Sequence, residues 1–138
     1  MRSLDLRSNV LIFIDDYAFK DLISLKKLYI GYNFIDKIEP NMFYGLKNLE
    51  YLSFKQNSLN LIHSGTFKEL TNLKTLDLST NKIVFIDKNE FRGMNYLEEL
   101  NLQTNKIQVL DFNFIQGSSN LLFYSIFNIL SRFYLRLL

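Results

Sequence analysis

A step of 24 residues constrains this chain more than any other feature. Asn9, Asn33, Asn57, Asn81 and Asn105 fall in register at that step. So do Leu25, Leu49, Leu73, Leu97 and Leu121, and so do Phe19, Phe43, Phe67 and Phe91. A fixed internal period of this size marks a stacked repeat, in which each unit buries its apolar face against its neighbours. An apolar fraction of 48% supplies the side chains that such a spine needs. The repeats run over residues 1–24, 25–48, 49–72, 73–96 and 97–120, with no Gly-, Ser- or Pro-rich linker between them.

Each unit opens on Leu-x-x-Leu-x-Leu-x-x-Asn, seen without substitution as LKTLDLSTN from Leu73 to Asn81. Alternation at period two describes a short strand with one buried face. Leu28, Leu52, Leu76 and Leu100 point inward, as do Ile30, Phe54, Leu78 and Leu102. Two further inward columns follow the asparagine: Leu11, Ile35, Leu59, Ile83 and Ile107, then Ile14, Ile38, Ile62, Ile86 and Leu110. The phenylalanine column and Leu22, Leu46, Leu70 and Met94 complete the interior. The return segments lack a long helical period, so they are expected to be extended or single-turn pieces.

This pattern, continued as x-Ile-x-x-Ile-x-x-x-x-Phe-x-x-Leu, resembles the leucine-rich repeat. Its length and its phenylalanine resemble the typical 24-residue subclass found in Toll-like receptors, chaoptin-like adhesion proteins and small leucine-rich proteoglycans. The resemblance covers residues 1–120. It implies an α/β-class solenoid: a horseshoe with a parallel β-sheet on the concave face and mostly irregular or short-helical convex segments. It also implies a non-catalytic module that binds a protein ligand through its sheet face, in a receptor or adhesion setting, outside the cell or at its surface. Fold alone does not choose the ligand.

The asparagine ladder Asn9, Asn33, Asn57, Asn81 and Asn105 is expected to be structural. A chain turning sharply into an interior buries peptide groups that must find partners, and an asparagine offers two donors and an acceptor. The phenylalanines are expected to be core. No catalytic constellation appears. The single histidine, His63, shares a column with Asp15, Glu39, Asp87 and Asp111, which describes a solvated polar edge. One carboxylate per turn does not make the cage of six to eight oxygens that calcium needs. Neither cofactor nor metal is expected. There are no cysteines, which excludes disulfides and thiolate metal sites.

Net charge is +2 with scattered Lys and Arg, so no nucleic-acid partner is expected. Partner choice is assigned to the outward positions of the strand. Tyr29, Tyr32 and Tyr51 cluster in repeats 2 and 3 beside Lys27 and Lys55, and farther along the face turns acidic at Asp77, Glu98 and Glu99. Tyrosine combines large contact area with small entropic cost. The partner-binding set is therefore Lys27, Tyr29, Tyr32, Tyr51, Lys55 and Asp77, although exposed tyrosines also simply favour strands.

Residues 121–138 lose the register, with Ile129 where asparagine is due. They describe a degenerate sixth repeat or an apolar C-terminal cap. A membrane-associated structural protein anchored by this segment is the alternative, with Arg132 and Arg136 toward headgroups. The first residues do not form a signal peptide, since Asp5, Arg7, Asp15 and Asp16 break the apolar run. Uncapped ends would expose Leu4, Leu6 and Leu11 and invite self-association.

Overall fold

The computed structural model describes residues 1–87 and 89–107. The expectations for residues 108–138, including the cap and membrane readings of 121–138, lie outside the described residues.

The opening motif of every repeat makes a three-residue strand. These are β1 (Ser3–Asp5), β2 (Lys27–Tyr29), β3 (Tyr51–Ser53), β5 (Thr75–Asp77) and β7 (Glu99–Asn101). They pair in parallel in the order β1-β2-β3-β5-β7. The register is an offset of one repeat, so Leu4, Leu28, Leu52, Leu76 and Leu100 lie side by side. Period-two alternation turns these leucines to the interior, and Leu28, Leu52 and Leu76 have no exposed surface. Pairing continues beyond the strands. Ser8, Tyr32, Gln56 and Thr80 each donate a backbone N–H to the seventh residue of the next repeat, at 2.8–3.2 Å.

The convex return segments are irregular, built from successive tight turns, as expected. One regular feature was not foreseen there. β4 (Leu61–Ile62) and β6 (Phe85–Ile86) form a second, two-stranded parallel sheet. Between the two sides the phenylalanine column runs ring to ring from Phe43 to Phe91. Phe43 and Phe67 lie 5.8 Å apart, and Phe67 and Phe91 stack at 6.4 Å. Phe54 meets Phe43 edge-on at 6.0 Å.

The asparagines close the turns between strand and return segment. Asn57 donates from Nδ2 to the carbonyls of Ile30 and Phe54, each at 3.1 Å, while its Oδ1 accepts the Ile35 N–H at 3.0 Å. Two of those partners belong to the preceding repeat. Asn33, Asn81 and Asn105 repeat the arrangement on their own neighbours. Asn9 is exposed and donates only to Leu6 and Arg7 of its own turn. The residue before each asparagine is left-handed, with φ from 55° to 59° at Ser8, Tyr32, Gln56, Thr80 and Thr104. None of them is glycine, so the inter-repeat hydrogen bonds hold each in a region that a side chain disfavours.

One buried carboxylate departs from the repeat pattern. Glu90 is 2% exposed, in a column occupied by Ala18, Met42 and Thr66. Its oxygens accept N–H bonds from Thr66 (3.3 Å) and Phe67 (2.8 Å) of the preceding repeat, and the Gly65 amide adds a third. Burial pushes its pKa up to about 7, against the downward pull of those amides. Among the described residues no buried side-chain polar atom lacks a hydrogen-bond partner.

Candidate functional site

The in-register strands bring the outward columns together on the concave face. Position 3 reads Ser3, Lys27, Tyr51, Thr75, Glu99, and position 5 reads Asp5, Tyr29, Ser53, Asp77, Asn101. Tyr29 and Tyr51 are therefore diagonal neighbours, a spacing that aromatic side chains bridge. Their ring centroids are 4.9 Å apart with planes tilted at 39°. Such a pair contributes about 0.5–1.5 kcal/mol beyond its area burial.

The pair extends into repeat 1. The Arg7 guanidinium lies 4.8 Å from the Tyr29 ring centroid, within cation–π range. Arg7 is oriented by a two-pronged ion pair with Asp5, Nε to Oδ1 at 2.9 Å and Nη2 to Oδ2 at 2.6 Å. Hydrogen bonding from Arg7 holds the Asp5 carboxyl down at about 2. Gly31, next along the column from Arg7, adds no side chain, and a Cβ there would stand 2.8 Å from the Lys55 carbonyl oxygen. At the other end, burial raises the Tyr51 hydroxyl pKa, and the nearby Asp77 carboxylate raises it further. One continuous platform thus runs Asp5–Arg7–Tyr29–Tyr51–Asp77.

Three of the six expected partner-binding residues, Tyr29, Tyr51 and Asp77, meet on this platform. Tyr32 does not join them, because it occupies the left-handed turn after β2 rather than the strand. It is exposed, and the Lys55 ammonium sits 6.0 Å from its ring. Lys27 is exposed, in register with Tyr51 and on the far side of Tyr29 from Tyr32. Arg7 and Asp5 were missed as members of the site. Their signal was the diagonal relation between position 7 of one repeat and position 5 of the next. The outward columns are also less free of packing than alternation suggests: Ser53, Gly31 and Ser79 are buried.

Elsewhere the polar side chains are engaged structurally. Lys26, Glu50 and Lys74 form an ion-pair row across three repeats, at 2.7 and 3.2 Å. Asn48 and Asn72 donate to the Ile23 and Lys47 carbonyls of the repeat before. Of the polar edge expected around His63, Asp15 and His63 are exposed, whereas Glu39 and Asp87 are half-buried. Lys37 pairs with Glu39 at 2.6 Å beside an open convex cleft. Among the described residues no group of three or more His, Asp or Glu side chains could hold a metal ion.

The fold and its polar ladder define a class, and comparison with known proteins agrees. The family described as "Leucine rich repeat" matches residues 1–59 and 48–107. The chain belongs to the leucine-rich-repeat family. Comparison with curated proteins returns no match. Among solved structures, the chain is similar to the leucine-rich repeat domain of APL1, with 29% identity and a TM-score of 0.79 over 84% of this chain and 31% of that one. It is similar to TLR13, solved as a complex with ssRNA13, at 29% identity and TM-score 0.78 over 87% of this chain and 17% of that one. It is also similar to Toll, solved in a complex with Spatzle and named for Drosophila, at 27% identity and TM-score 0.76 over 85% and 17%. The chain spans about a third or less of the length of these relatives.

Proposed function

We propose that this chain is a non-catalytic recognition module that binds a protein partner on its concave sheet face, in a receptor or adhesion setting at or outside the cell surface. The observation that carries this reading is the Arg7–Tyr29–Tyr51 platform. It gathers large amphipathic rings and an oriented guanidinium on a face whose identities the repeat leaves variable. Tyr and Arg are the residues that most often dominate binding energy at interfaces. The likeness to Toll, solved with Spatzle, supports a protein ligand. The likeness to TLR13, solved with ssRNA13, makes single-stranded RNA the competitor to be tested.

The test is a binding survey. The chain and its Tyr29→Ala/Tyr51→Ala variant are presented side by side to an array of secreted and cell-surface ectodomains and to a single-stranded RNA oligonucleotide. The expected result is an ectodomain bound by the parent chain and weakened roughly tenfold or more in the variant, with melting temperature kept. Equal affinity in the two chains would overturn the placement, and retention of the RNA alone would overturn the protein-ligand reading.

A further inference from the structure

Ion pairs are few among the described residues. Lys26 and Lys74 clamp Glu50, and Lys37 holds Glu39. On the concave face Arg7 pairs with Asp5 in repeat 1. Among the described residues, Lys27, Lys55, Asp77 and Glu99 form no ion pair. They are also sorted by sign, with the cations in repeats 2 and 3 and the carboxylates in repeats 4 and 5. Asp77 accepts only the Ser79 backbone N–H at 2.9 Å, and Glu99 only the Thr75 hydroxyl at 3.4 Å. Each carboxylate therefore keeps acceptor capacity. The Tyr29–Tyr51 pair lies on the cationic side of the boundary.

Adjacent strands lie about 4.8 Å apart, so the two charge centres, two strands apart, are separated by about 10 Å. This is close to a Debye length at physiological salt, so each end of the face presents its own sign to a ligand. Resting on the concave-face reading above, we propose that the occupant is an extended protein segment with its own charge dipole. A carboxylate side chain docks over the tyrosine pair between Lys27 and Lys55, and a Lys or Arg side chain reaches Asp77 and Glu99. An extended segment rising about 3.4 Å per residue places same-side residues two to four apart at a matching distance. The segment lies across the strands, following the direction in which the repeats stack. Opposite orientation would set like charges against each other, so the sorted face also dictates polarity.

A random dodecapeptide library displayed on phage, selected on the intact chain, tests this. Enriched peptides are expected to carry an acidic and a basic residue in constant order, two to four positions apart. Lys27→Glu/Lys55→Glu and Asp77→Lys/Glu99→Lys should each weaken a selected synthetic peptide by roughly tenfold. Combining all four reversals should restore binding to the peptide with its two charges exchanged. Because reversed charges could disturb folding, Lys27→Gln/Lys55→Gln is measured beside them, with a smaller loss expected in the same direction. Peptides lost on Tyr29→Ala/Tyr51→Ala but indifferent to every charge variant would overturn the dipole and leave the concave-face reading standing. Indifference to both sets would overturn both. Failure to enrich any peptide, or a concentration-dependent dimer dissolved by the same reversals, would overturn the extended-segment occupant.

Discussion

Asn57 and Tyr51 stand six residues apart and use their polar groups in opposite ways. Asn57 is buried, and its side chain makes three hydrogen bonds to the backbone of two repeats. Tyr51 is half-buried, and its ring leans on Tyr29 of the repeat before, with its outer side open to the concave space. The first column is uniform because every turn poses the same question of unpaired amides. The second varies because no repeat needs any particular side chain there. Recognition in a solenoid is therefore to be sought where the repeat is silent. The shape of the site depends on which outward residues the stacking happens to make neighbours.

The largest expected effect sharpens this contrast directly. Asn57→Ala strips partners from buried backbone groups and should cost about 1–3 kcal/mol. Asn9→Ala, at an exposed rung that bonds only within its own turn, should cost clearly less. Chemical denaturation of the two variants checks both, and equal costs would break the ladder argument. Next comes Glu90. The folded chain holds its proton more tightly than the unfolded chain, since burial lifts it to about 7 from 4.5. Its stabilising contribution is thus complete below the unfolded value and lost as pH rises through about 7. Relative to Glu90→Gln, the parent chain should lose on the order of 1–2 kcal/mol between pH 5 and 8. Parallel pH profiles for the two chains would contradict it.

Smaller effects probe the turn and the face. Thr80 is β-branched and left-handed, at φ 56°. Thr80→Gly should relieve that strain, partly offset by backbone entropy, for a net gain of roughly 0.5 kcal/mol. Thermal melting reads the sign. On the face, Tyr29→Ala is expected to cost under about 1.5 kcal/mol, because it removes only the contact with the Tyr51 ring and the exposed cation–π contact with Arg7. A melting point depressed as far as that of Asn57→Ala would show the platform to be structural, and the contrast between the two columns would fall.

Most of the fold was legible because the repeat states it five times over. Leu28, Leu52 and Leu76, the Phe column and the asparagine rungs all follow from period two inside period 24. The second sheet of β4 and β6 was not legible, since Leu61–Ile62 and Phe85–Ile86 are too short to show alternation. Glu90 was not legible either. In sequence it is one more glutamate, and only the fold brings the amides of residues 65–67 around it.

The site divides the same way. Tyrosines and lysines at outward positions are visible as columns, and that pointed to Tyr29 and Tyr51. The membership of Arg7 and Asp5, and the separation of Tyr32, depended on diagonal packing and on a left-handed turn. By itself, then, the sequence determined the architecture, the buried spine and the face left free to vary, because a side chain's burial is set by its place in the period. Only the tertiary structure decided which variable residues touch and which charges go unmatched. Those contacts form between residues about a repeat apart, and they depend on strand register and ring geometry that no single repeat encodes.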